Sequence, residues 1–308
     1  DLLEFCILAN DSYRSGSPIV SDENYDFIFI PELQKRLPHQ PFLQKVESES
    51  EGFSDEKIKL PEKMLSTDKA YTWKEIEKWL ERISKFSEEI NVQLSEIQIK
   101  GTAKLDGFAG YDDGKKLYTR GDGNKGSDIS RVFQRGLGIL NDSERGQGPG
   151  EIVVKRSYFE DHLSNDFEYP RNFQASLIKE KELDKFARDA IDAKAALFVP
   201  FKQLPFWKGN IDEFKNQFLD IVIKLEEGVD FDIDGVVFEI VNPELKEFMG
   251  SNRKFHRWQI AYKENKEKAQ VKVISVTAQV GRTGKITPVA ELEPTQLSGA
   301  TIYRATGH

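Results

Sequence analysis

The sequence predicts an α+β protein built on antiparallel sheets, and three observations carry that expectation. Strand-like apolar runs come in bunches, at 151–156, 196–202, 231–241, 257–264, 270–280, 286–292 and 300–305, rather than in regular alternation with helices. Helical spacing of apolar residues is confined to the N-terminus, the segment after Thr72, and stretches near 180–192 and 211–226. Asp112-Asp113-Gly114 is a hairpin turn signal between a run ending near Tyr111 and a return over Lys116–Arg120.

Composition bounds the class. The chain has 308 residues, 38% hydrophobic and 31% charged, which suits a globular protein with a real core. No apolar run approaches the ~20 residues that span a bilayer, so no membrane partner is expected. Asp1-Leu2-Leu3-Glu4-Phe5 has no basic region before an apolar one and does not read as a signal peptide. It also lacks an initiator Met, as a trimmed piece would. Cys6 is the only cysteine, which excludes an internal disulfide and a cysteine-ligated zinc site, and a reducing, cytoplasmic setting follows. The net charge of −8 argues against gripping DNA by bulk charge, though a local basic patch remains open.

Taken in order, Leu2, Leu3, Phe5, Cys6, Leu8 and Ala9 form the apolar face of a first helix, broken at Gly16-Ser17-Pro18. Ser21 is placed to cap a second helix from about Asp22, which Pro31 should kink or end. Residues 47–57 are acidic and Ser-rich with little to bury, and read as a linker. Thr72 and Glu75 form a capping box for a helix that places Ile76, Trp79, Leu80, Ile83 and Phe86 on one face. The expected division is a small helical domain over 1–50, a main domain over 58–268 and a further β segment over 269–308.

Four stretches can carry chemistry. Lys104 stands between Ala103 and Leu105, two residues before Asp106-Gly107; it is either a desolvated nucleophile or an exposed lysine on an edge strand. Thr119-Arg120-Gly121-Asp122-Gly123-Asn124-Lys125-Gly126 is either an anion-binding loop with free backbone N–H groups or a plain Gly-rich turn. Asp234 interrupts an apolar strand and needs a partner, and Lys263 ends another; each is alternatively a strand end reaching solvent. Together they form a kit for phosphoryl chemistry: a nucleophile, cations for developing charge and carboxylates for ribose or metal.

In that order the motifs resemble the adenylation domain of NAD-dependent, bacterial-type DNA ligases, over most of the chain. Lys104-Leu105-Asp106-Gly107 resembles the nucleotidyl-lysine motif, and Thr119–Gly126 the loop after it. Gly150-Glu151-Ile152, Tyr169-Pro170-Arg171-Asn172, Asp232–Val237 and Ala261-Tyr262-Lys263 are similar to the motifs that follow. Gln279–Pro294 resembles the entry to the ligase's oligonucleotide-binding (OB) barrel. Ser21–Asp26 is similar to the motif that holds the nicotinamide mononucleotide half of NAD.

The resemblance implies a nucleotidyltransferase core of the DNA ligase and capping-enzyme type, after a small helical domain and before the start of an OB-fold. It implies that Lys104 attacks NAD to give lysyl-AMP, and that AMP then passes to the 5′-phosphate of nicked double-stranded DNA. Asp106, Asp234 and Lys263 would act at the reacting phosphate. Asp22, Tyr25, Asp26, Thr102, Leu105, Arg120, Glu151, Arg171 and Glu239 would bind the dinucleotide. Magnesium is implied, with no protein metal site, and so is a monomer. Since the chain stops at His308, self-adenylation without efficient sealing is expected.

Several positions depart from the pattern. Thr102 stands where the family usually has glutamate, and Glu239 where it has lysine, both near the base. Glu239 is therefore expected to accept from the adenine amino group, with guanine as the alternative base. Ser12-Tyr13 replace a Tyr-His pair, Pro149 displaces an arginine, and Phe173-Gln174-Ala175 shorten the run after Asn172. Two other readings stand beside the ligase: a related enzyme acting on RNA ends, and a nucleotide-binding module without catalysis.

Overall fold

The computed structural model describes residues 2–14, 19–20, 24–44, 58–179, 183–263, 270–280, 286–297 and 300–306. It divides into two compact units, one from Asp1–Ala9, Pro18–Pro38 and Asn265–His308, the other from Asn10–Ser17 and His39–Glu264. Ser21, Asp22, the Gly16-Ser17-Pro18 break and the 47–57 linker lie outside the described residues.

Helix α1 spans Leu2–Arg14 and buries Cys6, Ala9 and Asn10, which recur at the i, i+3, i+4 spacing of one helix face. Leu8, expected on that face, is 57% exposed, because two residues from Cys6 it falls on the opposite flank. At Pro31 the chain does not stop being helical, but the helix changes type there, within the expectation of a kink or an end. A π-helical turn, Tyr25–Phe29, runs into helix α2, Ile30–Arg36, and Pro31 sits in the first α turn, where a missing N–H costs nothing. The Tyr25 hydroxyl donates to the Cys6 carbonyl at 3.3 Å, and the Phe5 and Phe29 rings stand 4.6 Å apart.

The second unit begins with strands β1 (Ile58–Lys59) and β2 (Ser66–Ala70) and helix α3 (Trp73–Glu89). The Glu75 carboxylate accepts from the N–H groups of Tyr71 and Thr72 at 2.8 and 3.0 Å, the expected reach back at the helix start. Strands β3 (Gln98–Leu105), β4 (Phe108–Asp112), β5 (Leu117–Thr119), β6 (Lys125–Gly126), β7 (Gly138–Ile139) and β8 (Gly148–Val154) follow. Helices α4 (Arg156–His162), α5 (Pro170–Lys179) and α6 (Lys185–Asp192) then lead to β9 (Ala196–Pro200) and β10 (Phe206–Asn210). The helix expected at 211–226 is two, α7 (Ile211–Asn216) and α8 (Phe218–Glu227), parted at Gln217, whose backbone leaves the helical region. Strand β11 (Ile233–Ile240), helix α9 (Pro243–Met249) and strand β12 (Phe255–Tyr262) complete the unit.

Two five-stranded sheets result, in the orders β10-β3-β11-β12-β2 and β5-β4-β8-β9-β7. Most of their pairs are antiparallel, as expected, but β12 with β2 and β7 with β9 are parallel. The first sheet buries one face under α3, α7, α8 and α9, with Trp79, Phe214 and Phe238 fully enclosed. The second packs Phe108, Ile152 and Phe198 with Phe159, Phe173 and Ile178 of α4 and α5. Because side chains alternate along a strand, this leaves Thr102, Lys104 and Asp106 of β3 and the turn after it half-buried, while Gly101, Ala103 and Leu105 are buried. In the first unit, β13 (Val273–Val280), β14 (Ile286–Leu297) and β15 (Ala300–Thr306) form an antiparallel three-stranded sheet, in order β13-β14-β15. Residues 281–285 of the barrel-entry motif are outside the described set.

Phe238 is fully buried, with its ring 4.8 Å from Phe214 and 5.7 Å from Phe218. Truncation there should leave a cavity behind the strand that bears Asp234. Phe238→Ala is expected to cost about 3–5 kcal/mol, read as a lower urea midpoint, whereas Phe238→Leu should lose much less.

Candidate active site

Strands β3 and β11 lie side by side, and their register slips between Ile233 and Val236. One extra residue there makes a bulge of Asp234-Gly235. Gly235 has φ +138°, and a Cβ on it would stand 2.2 Å from the Tyr262 carbonyl oxygen, so only glycine fits. The bulge turns Asp234 toward Lys104. The lysine Nζ meets both Asp234 oxygens, at 2.7 and 2.8 Å. Lys263, just past β12, reaches the same carboxylate at 2.9 Å.

This trio is largely shut from solvent. The side chains of Lys263, Asp234 and Lys104 are 6%, 14% and 26% exposed. Lys104 lies on an interior strand, so the edge-strand reading fails, and neither Asp234 nor Lys263 is a strand end reaching solvent. One carboxylate thus meets both lysine side chains, which holds the two within reach of a single point.

Asp106 is held from below. The Arg171 guanidinium, buried on α5, donates to Asp106 Oδ1 at 2.9 Å and to the Gly107 carbonyl, with its plane over the Phe108 ring. The Asp106 N–H donates to the Asp232 carbonyl at 2.9 Å. Burial pushes the Asp232 carboxyl above its ordinary range, and the nearby Asp106 charge adds to this while Arg156 opposes it. Gly107 leaves room for Glu151: a Cβ at 107 would be 2.8 Å from Glu151 Cγ and 2.3 Å from the Ile152 oxygen.

The other expected residues are distributed as follows. Thr102 and Glu239 are half-buried on the strands beside Lys104. Leu105 points the opposite way, into a cluster with Val153, Val199 and Phe231. Arg120 is half-buried at the end of β5, and its N–H donates to the Ala109 oxygen at 3.1 Å. Its loop does not offer a row of free N–H groups: those of Asp122 and Gly123 meet Lys125 and Arg120 oxygens, and those of Asn124 and Lys125 meet the Asp122 carboxylate. Tyr25 and Asp26 are buried within the first unit, and Asp22 is outside the described residues.

Family models match two segments: the NAD-dependent DNA ligase adenylation domain over residues 53–188, and the NAD-dependent DNA ligase OB-fold domain over residues 270–308. The chain belongs to the NAD-dependent DNA ligase family. Among its relatives, the DNA ligase of Ruthia magnifica subsp. Calyptogena magnifica is 61% identical over 308 residues, covering 100% of this chain and 50% of that protein. The DNA ligase of Psychromonas ingrahamii is 53% identical over 307 residues, covering 99% and 47%. That of Anaplasma marginale (strain St. Maries) is 30% identical over 328 residues, covering 95% and 48%. The chain spans about half the length of these curated relatives. Among the described residues no helix is long and apolar enough to cross a membrane.

Two contacts at this site carry no signal in the sequence. Asp232 opens the stretch that holds Asp234, and its backbone carbonyl accepts from the Asp106 N–H. Lys246 gave no motif signal, yet it donates to Glu239 Oε2 at 3.2 Å.

Removal of the shared carboxylate should expose the size of this constraint. Asp234→Ala removes the carboxylate that buried Lys263 meets at 2.9 Å, and a loss of about 3–5 kcal/mol is expected in urea unfolding. In a double-mutant cycle, Lys263→Met placed on Asp234→Ala should recover part of that loss; equal and additive losses would show that the two do not interact.

Proposed function

We propose that this chain carries out the self-adenylation step of an NAD-dependent DNA ligase. Lys104 attacks the α-phosphorus of NAD; the P–N bond forms as the bond to nicotinamide mononucleotide breaks, and lysyl-AMP results. The observation that best supports this is the Lys104–Asp234–Lys263 trio, which presents one amine on the accessible side and a second, fixed cation beside it. Asp234 aligns the attacking amine and accepts the proton that its nitrogen gives up as the P–N bond forms. Lys263 offsets the negative charge that grows on the phosphate. Asp106, steadied by Arg171, and Glu151 face the ribose and phosphate, with Arg120 as a further cation.

Thr102 and Glu239 line the base, with Glu239 accepting from the adenine amino group. Tyr25 and Asp26, together with Asp22, take the nicotinamide mononucleotide half of NAD. Magnesium belongs to the proposal as a counter-ion of the dinucleotide. Among the described residues no group of three or more His, Cys, Asp or Glu is placed to hold a metal. Such an ion would be held mainly by substrate phosphates, with one or two carboxylates such as Glu151 or Asp106. For the whole protein we propose transfer of AMP to the 5′-phosphate of a DNA nick and sealing by the 3′-hydroxyl, by a cytoplasmic monomer divided at 1–50, 58–268 and 269–308.

Incubation with NAD and magnesium followed by intact mass tests this. A gain of one AMP is expected, lost in Lys104→Ala; a gain from ATP but not NAD would sink the cofactor reading. Arg171→Met, which frees Asp106, should slow single-turnover adenylation by about 10²-fold. An unchanged rate would remove Arg171 from the positioning of Asp106.

A further inference from the structure

Strands β3 and β11 carry more than the reacting groups. Same-face residues on a strand stand about 6.6 Å apart. Thr102 is therefore one step along β3 from Lys104, and Lys100 is two. Register places Val237 opposite Thr102 and Glu239 opposite Lys100. A base attached through its sugar to a phosphate at Lys104 lies along this track.

Glu239 has two lysine neighbours, and they behave differently. Lys100, directly across, turns away: its Nζ lies 5.2 Å from the centre of the Phe206 ring on β10. Lys246 reaches in from α9 and donates to Glu239 Oε2 at 3.2 Å. Its Nζ is seated 4.2 Å above the Trp258 ring, and Trp258 is itself stacked on His256 at 4.6 Å and 27°. Burial pushes the His256 imidazole down, Lys246 and Lys63 add to this, and Glu239 opposes it. The side chains of Lys246 and Glu239 are 27% and 26% exposed, so the pair is partly desolvated.

We infer that Lys246 is a positioning residue for base selection: seated on Trp258, it clamps one oxygen of Glu239 and leaves the other to accept from the 6-amino group of the base. The inference rests on the proposed base reading by Glu239 and adds the residue that fixes it. A carboxylate accepts hydrogen bonds only, so it rewards the amino group of adenine and repels the 6-oxo group of hypoxanthine. An unclamped glutamate spreads over several rotamers and discriminates less. Lys246 thus sets a cation against Glu239. It comes from a helix seven residues further along the chain.

The test compares NAD with nicotinamide hypoxanthine dinucleotide as donors to Lys104, by single-turnover rates and intact mass, in the 308-residue chain. The unsubstituted protein should prefer NAD by about tenfold or more. Glu239→Gln should lose most of that preference. Lys246→Met keeps the stem on Trp258 without the charge; it should lower the preference several-fold, through the apparent affinity for NAD more than the maximal rate. Lys246→Gln should do the same, and Lys246→Arg should restore it. A wild-type preference in both Lys246→Met and Lys246→Gln, with the preference lost in Glu239→Gln, would overturn the role of Lys246 and leave the base reading intact. Retained preference in Glu239→Gln would overturn both. Failure of the unsubstituted chain to gain mass from NAD would instead strike at the proposed adenylation itself.

Discussion

The structure of the site depends on one carboxylate shared by two lysines. Asp234 holds Lys104 and Lys263 within hydrogen-bond distance, in a place where little water can substitute for it. Two ammonium groups gathered without that charge would repel each other and lose hydration together. Three adjacent strands of the first sheet must therefore deliver residues to the same point: β3 the amine, β11 the carboxylate, and the end of β12 the second amine. The bulge at Asp234-Gly235 makes this possible, because a regular strand would set the carboxylate in the plain alternation of the sheet.

The hydrophobic core serves that geometry from behind. Phe238 and Val236 anchor β11 on its buried side, while Trp79, Phe214 and Ile260 close the layer beneath. A strand pinned on one face has little freedom on the other, so the site's residues inherit the rigidity of close packing. The second sheet contributes differently. Gly107 admits the Glu151 side chain, and Arg171 holds Asp106 by a hydrogen bond while it is itself seated on the Gly107 carbonyl and the Phe108 ring. A buried arginine placed beneath an aspartate sets where that carboxylate can stand, which matters more for chemistry at a phosphate than the charge alone.

The departures from the family pattern are also resolved in space rather than in sequence. Glu239 in place of lysine looks like a reversal of charge at one position. In the structure Lys246 of α9 meets Glu239 at 3.2 Å, so the glutamate's charge is paired locally. Thr102, one step along the track, is small and half-buried beside it.

By itself the sequence determined the α+β class, most strand segments of the two main sheets, the capped helix from Trp73, and the candidates Lys104, Asp106, Glu151, Asp234 and Lys263. These rest on local patterns: alternation, helical spacing, turn residues, and charged groups set in apolar runs. It did not reveal α4, α5 or α9, which are short and carry little periodicity. It also misplaced Leu8 and left open whether the Gly-rich loop offered its N–H groups. Each of those outcomes turns on what else is nearby to bury a side chain or satisfy a donor. Only the tertiary structure decided that Lys104 lies on an interior strand, that Asp234 bridges two lysines, and that Arg171 supports Asp106. Those partners stand 130 and 65 positions apart in the chain, and their meeting is fixed by strand register and one bulge. No local spacing encodes a register, since it follows from the packing of whole sheets.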